Sequence, residues 1–178
     1  MKNSNRFFNP KLIFFFLFIT YCSLNLFCGF YTFSGSTLPG HIRTVAVPMF
    51  GNKTSEFGVR EEITDALTIQ FTEDNTLKVA DRRTADSIIR GEIINIRDQA
   101  GAYNQDEKVS EIRVYVTVAA AFEDIKKHNV IWEEQITQWG TYNPDGTACQ
   151  DNTTREDAIK EAIDKIVDDI FNKTIAGW

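Results

Sequence analysis

The alternation of apolar and polar residues beyond residue 40 assigns most of the chain to elements. Ile42, Val45 and Val47 form a β-branched stretch ending at Pro48, which cannot continue a sheet ladder from the inside, so this is a first strand. A polar turn over 51–55 leads into Val59, Ile63, Ala66, Leu67, Ile69 and Phe71, which mostly recur at intervals of three and four. Glu61, Glu62 and Asp65 sit early in that run, where the helix dipole favours acids, and Asp74 and Asn75 end the predicted helix. Leu77, Val79 and Ala80 predict a short second strand, and residues 87–96 a longer third carrying Ile88, Ile89, Ile93, Ile94 and Ile96.

After a polar loop over 98–108, Ile112, Val114, Val116 and Val118 alternate with Arg113, Tyr115 and Thr117, the pattern of a strand with one buried face. A polar tip, Lys126-Lys127-His128-Asn129, joins it to Val130, Trp132, Glu134, Ile136 and Gln138. The pair reads as a hairpin, with Asn129 expected in the left-handed conformation such turns require. Beyond a loop with Pro144, Asp145 and Gly146, Thr153 and Glu156 have the spacing of a capping box. The helix they open carries a stripe of Ala158, Ile159, Ala162, Ile163, Ile166, Val167, Ile170 and Phe171.

Two amphipathic helices with one stripe each pack best on the same side of a sheet. The predicted fold is therefore α+β, a two-layer α/β sandwich with a mixed four- to five-stranded sheet and both helices on one face. The other face has no cover. Tyr115, Thr117 and either Trp132 or Trp139, depending on register, are its candidates, and they make an interaction surface.

The first residues change the picture. Lys2, Arg6 and Lys11 with no acid precede an apolar run from Leu12 to Phe27, the order of a secretory signal. Extended to Phe33, the same run approaches the roughly 20 residues of a membrane helix, so an uncleaved anchor is the alternative. Cys28-Gly29 and the turn-rich stretch 34–40 favour cleavage. Of the three cysteines only Cys149 lies in the folded part, so no internal disulfide staples it. Cys28 reads as a thiol that takes a diacylglycerol and becomes the new N-terminus, with Cys22 as the competing site. The residues before Cys28, Leu24 to Phe27, depart from the small residues usual there. On this reading residues 1–27 are a signal peptide, 28–40 a lipidated tether and 41–178 one α/β domain.

Loss of three basic and no acidic residues takes the formal charge from −6 to −9. An acidic domain without a basic stripe is repelled by phosphate backbones, which excludes nucleic acid as a partner. Catalytic chemistry has little to rest on: His41 and His128 sit in no motif with a nucleophile or an orienting acid. The chain has no glycine-rich phosphate loop, no H-E-x-x-H and no zinc spacing, and the acidic pairs Glu61-Glu62, Glu133-Glu134 and Asp168-Asp169 read as solvated faces. No catalytic residue, metal ligand or cofactor is expected.

The stretch Cys28-Gly29-Phe30-Tyr31-Thr32-Phe33-Ser34-Gly35-Ser36, followed by Leu38-Pro39 and His41 to Pro48, resembles the start of the lipopolysaccharide-assembly lipoprotein family, LptE. The likeness continues through Asn52-Lys53-Thr54, Glu56-Phe57-Gly58, Leu77-Lys78-Val79, Ala85-Asp86 and Val130 to Glu133. Phe27 and His128-Asn129 depart from the family's pattern. The resemblance implies a non-enzymatic outer-membrane lipoprotein, lipid-anchored at the periplasmic face, that plugs a large β-barrel translocon and aids lipopolysaccharide delivery to the cell surface. The alternative is a periplasmic binding or activator lipoprotein acting on another envelope protein. If lipopolysaccharide is bound, its lipid A phosphates need cationic donors. The clustered cations are Arg82-Arg83 and, as the better candidates, Lys126-Lys127 at the hairpin tip.

Overall fold

The computed structural model of the chain describes residues 38–103, 109–143 and 154–176. Their elements are β1 (Thr44–Ala46), β2 (Gly51–Asn52), α1 (Val59–Asp74), β3 (Lys78–Val79), β4 (Ser87–Tyr103), β5 (Val109–Asp124), β6 (Asn129–Tyr142) and α2 (Arg155–Ile175). The segments expected as signal and tether, with Cys22 and Cys28, lie outside the described residues, as do the loop at Pro144 and Cys149.

Strands β4, β5 and β6 form an antiparallel meander, while β1 and β2 both run parallel to the other edge of β4 and β3 lies parallel outside β1. The mixed α+β sheet thus follows the path β3-β1-β4-β5-β6, with β2 added beside β4. The two residues of β2 fall where a polar turn is expected. Phe50, buried just before them, explains the return to the sheet: it lies against Gly91 of β4, where a Cβ would stand 1.9 Å from the ring. Strand β4 likewise continues past Ile96 through the expected loop, because its ladder with β5 runs on to Val109. Backbone pairing, with exposed side chains at Arg97, Asp98 and Gln99, sustains that arm, so apolar patterning carries no sign of it.

The stripes pack as read except at Ile69, which is exposed on α1. Ile63, Leu67 and Phe71 of α1 and Ile159, Ile163, Ile166 and Ile170 of α2 are buried with Ile89, Ile93, Val116, Val118 and Phe122 of the sheet in one core. The two helices touch through Phe71 and Phe171, with ring centroids 5.1 Å apart. A register shift between Ile93 and Asn95 places Ile93 and Ile96, three residues apart, on the same helix-covered side. Trp132 enters this core beside Phe122, whereas Trp139 lies with Tyr115 and Thr117 on the uncovered face. There the Arg113 guanidinium stacks 4.6 Å from the Trp139 ring and the Arg97 guanidinium 5.2 Å from that of Tyr115.

The ends of the helices differ from the expectation in detail. Asn75, with φ of 63°, ends α1 in the left-handed conformation and its N–H donates to the Phe71 carbonyl. Thr154, one residue after the expected Thr153, caps α2, its hydroxyl accepting the Asp157 N–H at 3.1 Å. At the β5–β6 turn His128, with φ of 55°, takes the left-handed position expected of Asn129. Among the described residues no helix is long and apolar enough to cross a membrane, and no group of His, Cys, Asp and Glu is placed to hold a metal ion.

Candidate functional site

Both cation clusters come to one end of the sheet, and a buried carboxylate explains why. The connection 81–86 leads from β3 to β4 past β1 and packs Ala85 into a small second cluster with Ala46, Ile88, Ala80 and Ile125, away from the main core. Asp86 closes it. Its Oδ2 accepts the backbone N–H groups of Arg43 at 2.9 Å and Thr44 at 3.1 Å, and its Oδ1 receives the Lys126 ammonium at 2.5 Å. The Asp86 carbonyl accepts the Ile125 N–H at 2.9 Å, so one residue ties the start of β1 to the β5–β6 turn. The Lys126 ammonium and the Arg43 N–H hold the Asp86 carboxyl far below the usual carboxylate range, outweighing the opposing effect of burial.

Asp124 does similar work on the far side of the turn. His41 Nε2 donates to its Oδ2 at 2.6 Å and the Lys127 N–H to its Oδ1 at 3.0 Å. Burial alone would raise the Asp124 carboxyl, yet these donors hold it below its ordinary value. His41 therefore anchors the incoming chain to the turn and has no nucleophile to serve.

The clusters differ in what remains free. Lys126 is committed to Asp86, Arg83 stands 3.5 Å from the largely exposed Asp81, and Arg90 pairs with Glu123. Arg82 and Lys127 have no ion pair, nor have Arg43 and Lys78, which stand at the same end through the pairing of Thr44 with Lys78. Elsewhere among the described residues only Arg97 and Lys160 lack an acidic partner within 4.0 Å. Unpaired cations thus gather where the chain comes into the domain, although the protein is acidic overall. A cleft of about 200 Å³ lies between Arg82, Arg90, Glu123, Asp124, Ile125 and His128, beside the β5–β6 turn.

The sequence reading missed Arg43, Lys78 and Asp86 as members of this end. Arg43 and Lys78 belong to it only through strand register, and nothing local to Ala85-Asp86 signals a residue that bridges to position 126. The acidic pairs are engaged in surface contacts, as expected of solvated faces: Glu61 with Arg60, Glu134 with Lys173, Asp168 with Gln70 and Asp169 with Gln138.

Residues 42–174 match the sequence pattern of the family described as Lipopolysaccharide-assembly, LptE. The chain belongs to the LptE family. This bears out the resemblance to the family, and the matched span runs from just before β1 to the last turn of α2. No curated protein matches the chain in sequence. Among solved structures, a protein of Xanthomonas campestris is similar at a TM-score of 0.56 and 10% identity, covering 78% of this chain and 87% of that one. A PelC dodecamer variant from Paraburkholderia phytofirmans is similar at 0.53 and 14%, covering 75% and 89%. A minor lipoprotein from Acinetobacter baumannii follows at 0.50 and 15%, covering 76% and 92%. At such identities these likenesses establish the fold of the LptE-family chain and nothing further.

Proposed function

We propose that this LptE-family chain is an outer-membrane lipoprotein, acylated on Cys28 and facing the periplasm, that plugs a β-barrel translocon, helps it assemble and aids lipopolysaccharide delivery to the cell surface. The family match across the whole described sandwich carries the reading. A plug needs a rigid domain, a polar surface suited to a wet lumen and a tether at the membrane. The packed two-layer core and its charged exterior suit the first two requirements. Cys28 precedes the first described residue, Leu38, by only ten positions, and acyl chains there supply the third. The non-enzymatic role follows from the family.

Lipid A phosphates require cationic donors, and Arg82, Arg83, Lys126 and Lys127 are the residues proposed to supply them. Their gathering at one end of the sheet supports this, with Arg82 and Lys127 the freest to bind. Depletion of the protein in its host should stop newly made lipopolysaccharide from reaching the cell surface, read by protection of pulse-labelled lipopolysaccharide from an external modifying enzyme. Normal arrival of the label after depletion would overturn the reading.

A further inference from the structure

At the end of the sheet opposite Asp86, the structure holds a nearly fully exposed aromatic side chain on a rigid loop. Phe57 is 99% exposed, well beyond the next most exposed large apolar residue, Ile69 at 56%. The loop that carries it is nevertheless firmly built. Asn52 accepts both the Thr54 N–H and the Thr54 hydroxyl at 2.8 Å, and donates its amide to the Glu56 carbonyl at 2.7 Å. The Thr54 hydroxyl accepts the Glu56 N–H, and the Lys53 N–H is bound to the Ile93 carbonyl. Arg155 grips Glu56 at 2.9 Å and Asp98 at 2.8 Å, fastening the loop to α2 and β4 together. Gly58, at φ of 79°, turns the chain into α1 immediately afterwards. A side chain held out by such a frame loses little further freedom on binding, which is the condition for an affinity anchor.

We infer that Phe57 is the anchor by which this domain docks into an apolar pocket of a protein partner, and that under the proposed function the partner is the β-barrel translocon. The surroundings argue for a protein. The charges beside Phe57 are paired with one another, Lys53 with Glu92, Glu56 with Arg155 and Arg60 with Glu61. A lone aromatic inside a neutralised polar rim is the pattern of an interface hot spot. A bilayer surface would instead select unpaired cations and a broad apolar face. Arg43, Lys78, Arg82 and Lys127 lie at the other end, since Glu56 is linked through Arg155 to Asp98, twelve positions along β4 from Asp86, and Arg97, the unpaired cation next to Asp98, is stacked on the Tyr115 ring. At roughly 3.3 Å per residue that is about 40 Å. A second copy of the chain is a poor occupant. Burying one phenyl ring covers about 150–250 Å², far below the roughly 1,200–2,000 Å² of a stable complex. A concave partner surrounding the domain supplies the remaining area.

The inference rests on the proposed function, and the experiment separates their failures. Tagged full-length chain, wild type and Phe57→Ser, is expressed in its host, extracted in detergent and isolated. A co-isolated outer-membrane barrel is identified by mass spectrometry and by its heat-dependent electrophoretic mobility. The wild type should retain the barrel and Phe57→Ser should lose about tenfold or more of it, with Phe57→Trp largely restoring retention. The thermal midpoint of Phe57→Ser should match that of the wild type, because the ring makes no contact within the domain. Equal retention by wild type and Phe57→Ser overturns this inference alone. Absence of any barrel from the wild-type isolate overturns the proposed function and this inference together. Self-association of the purified wild type that Phe57→Ser abolishes overturns the assignment to a barrel in favour of a second copy.

Discussion

Replacing Asp86 with alanine strands the Arg43 and Thr44 N–H groups and the Lys126 ammonium at once. The two part-buried N–H groups left unsatisfied cost about 1–3 kcal/mol each, while the exposed Lys126 ammonium is met by water, so Asp86→Ala should lower the thermal midpoint clearly, measured by circular dichroism on the wild type and the variant. Asp86→Asn keeps an acceptor for the backbone and should be milder. The pH dependence has a definite sign. The folded carboxyl lies below its unfolded value of about 3.9, so its stabilisation is complete above that pH and is lost as pH falls through and below it. The gap between wild type and Asp86→Asn should therefore be constant from neutral pH to about 5 and close in more acid solution. A gap as large at pH 2 as at neutral pH would show that the Asp86 charge is not what ties β1 to the turn. Residue roles of this kind were the least legible part of the sequence. Lys126 and Lys127 are adjacent and look alike, yet one is held by a residue forty positions away and the other is free.

At the scale of elements, periodicity sufficed wherever burial decides the structure. Both helix stripes and the alternation of β5 are read directly, since the same side chains that repeat in sequence fill the core. It fell short where backbone pairing decides, at β2 and the outer arm of β4. It was also silent on the seating of α2 against β6. Gly140 approaches the helix so closely that a Cβ there would stand 2.0 Å from the Ala158 carbonyl oxygen. The obstacle is helix backbone, which cannot rotate aside. Gly140→Ala should cost at least the ~1–3 kcal/mol of ordinary overpacking, checked by denaturant titration with an unchanged slope. Ile163→Asp tests the stripe itself. Ile163 is wholly buried, and an unpaired carboxylate there should cost several kcal/mol and leave a marginal domain largely unfolded at room temperature. A melting curve like that of the wild type would remove Ile163 from the core.

For the whole molecule, the uneven distribution of charge matters more than its sum. The chain is acidic, at −6, yet Arg43, Lys78, Arg82 and Lys127 stand unpaired at the end of the sheet where β1 begins. The candidate cations were legible as doublets, but the doublets are not units, and the structure divides each of them. Lys126→Glu would set a carboxylate against the Asp86 carboxylate it now neutralises, so it should destabilise the fold and cannot report cleanly on binding. Arg82→Glu with Lys127→Glu changes only solvent-facing, unpaired cations at one end of the sheet, and should leave the thermal midpoint near that of the wild type. If these cations receive lipid A phosphates, the double variant should weaken lipopolysaccharide binding by about tenfold or more and flatten its dependence on salt, because the exposed charges that screening acts on are gone. Titration of both proteins with purified lipopolysaccharide at low and physiological ionic strength provides the comparison. Equal affinities and equal salt dependence, with both proteins folded, would remove this end of the sheet from lipid recognition.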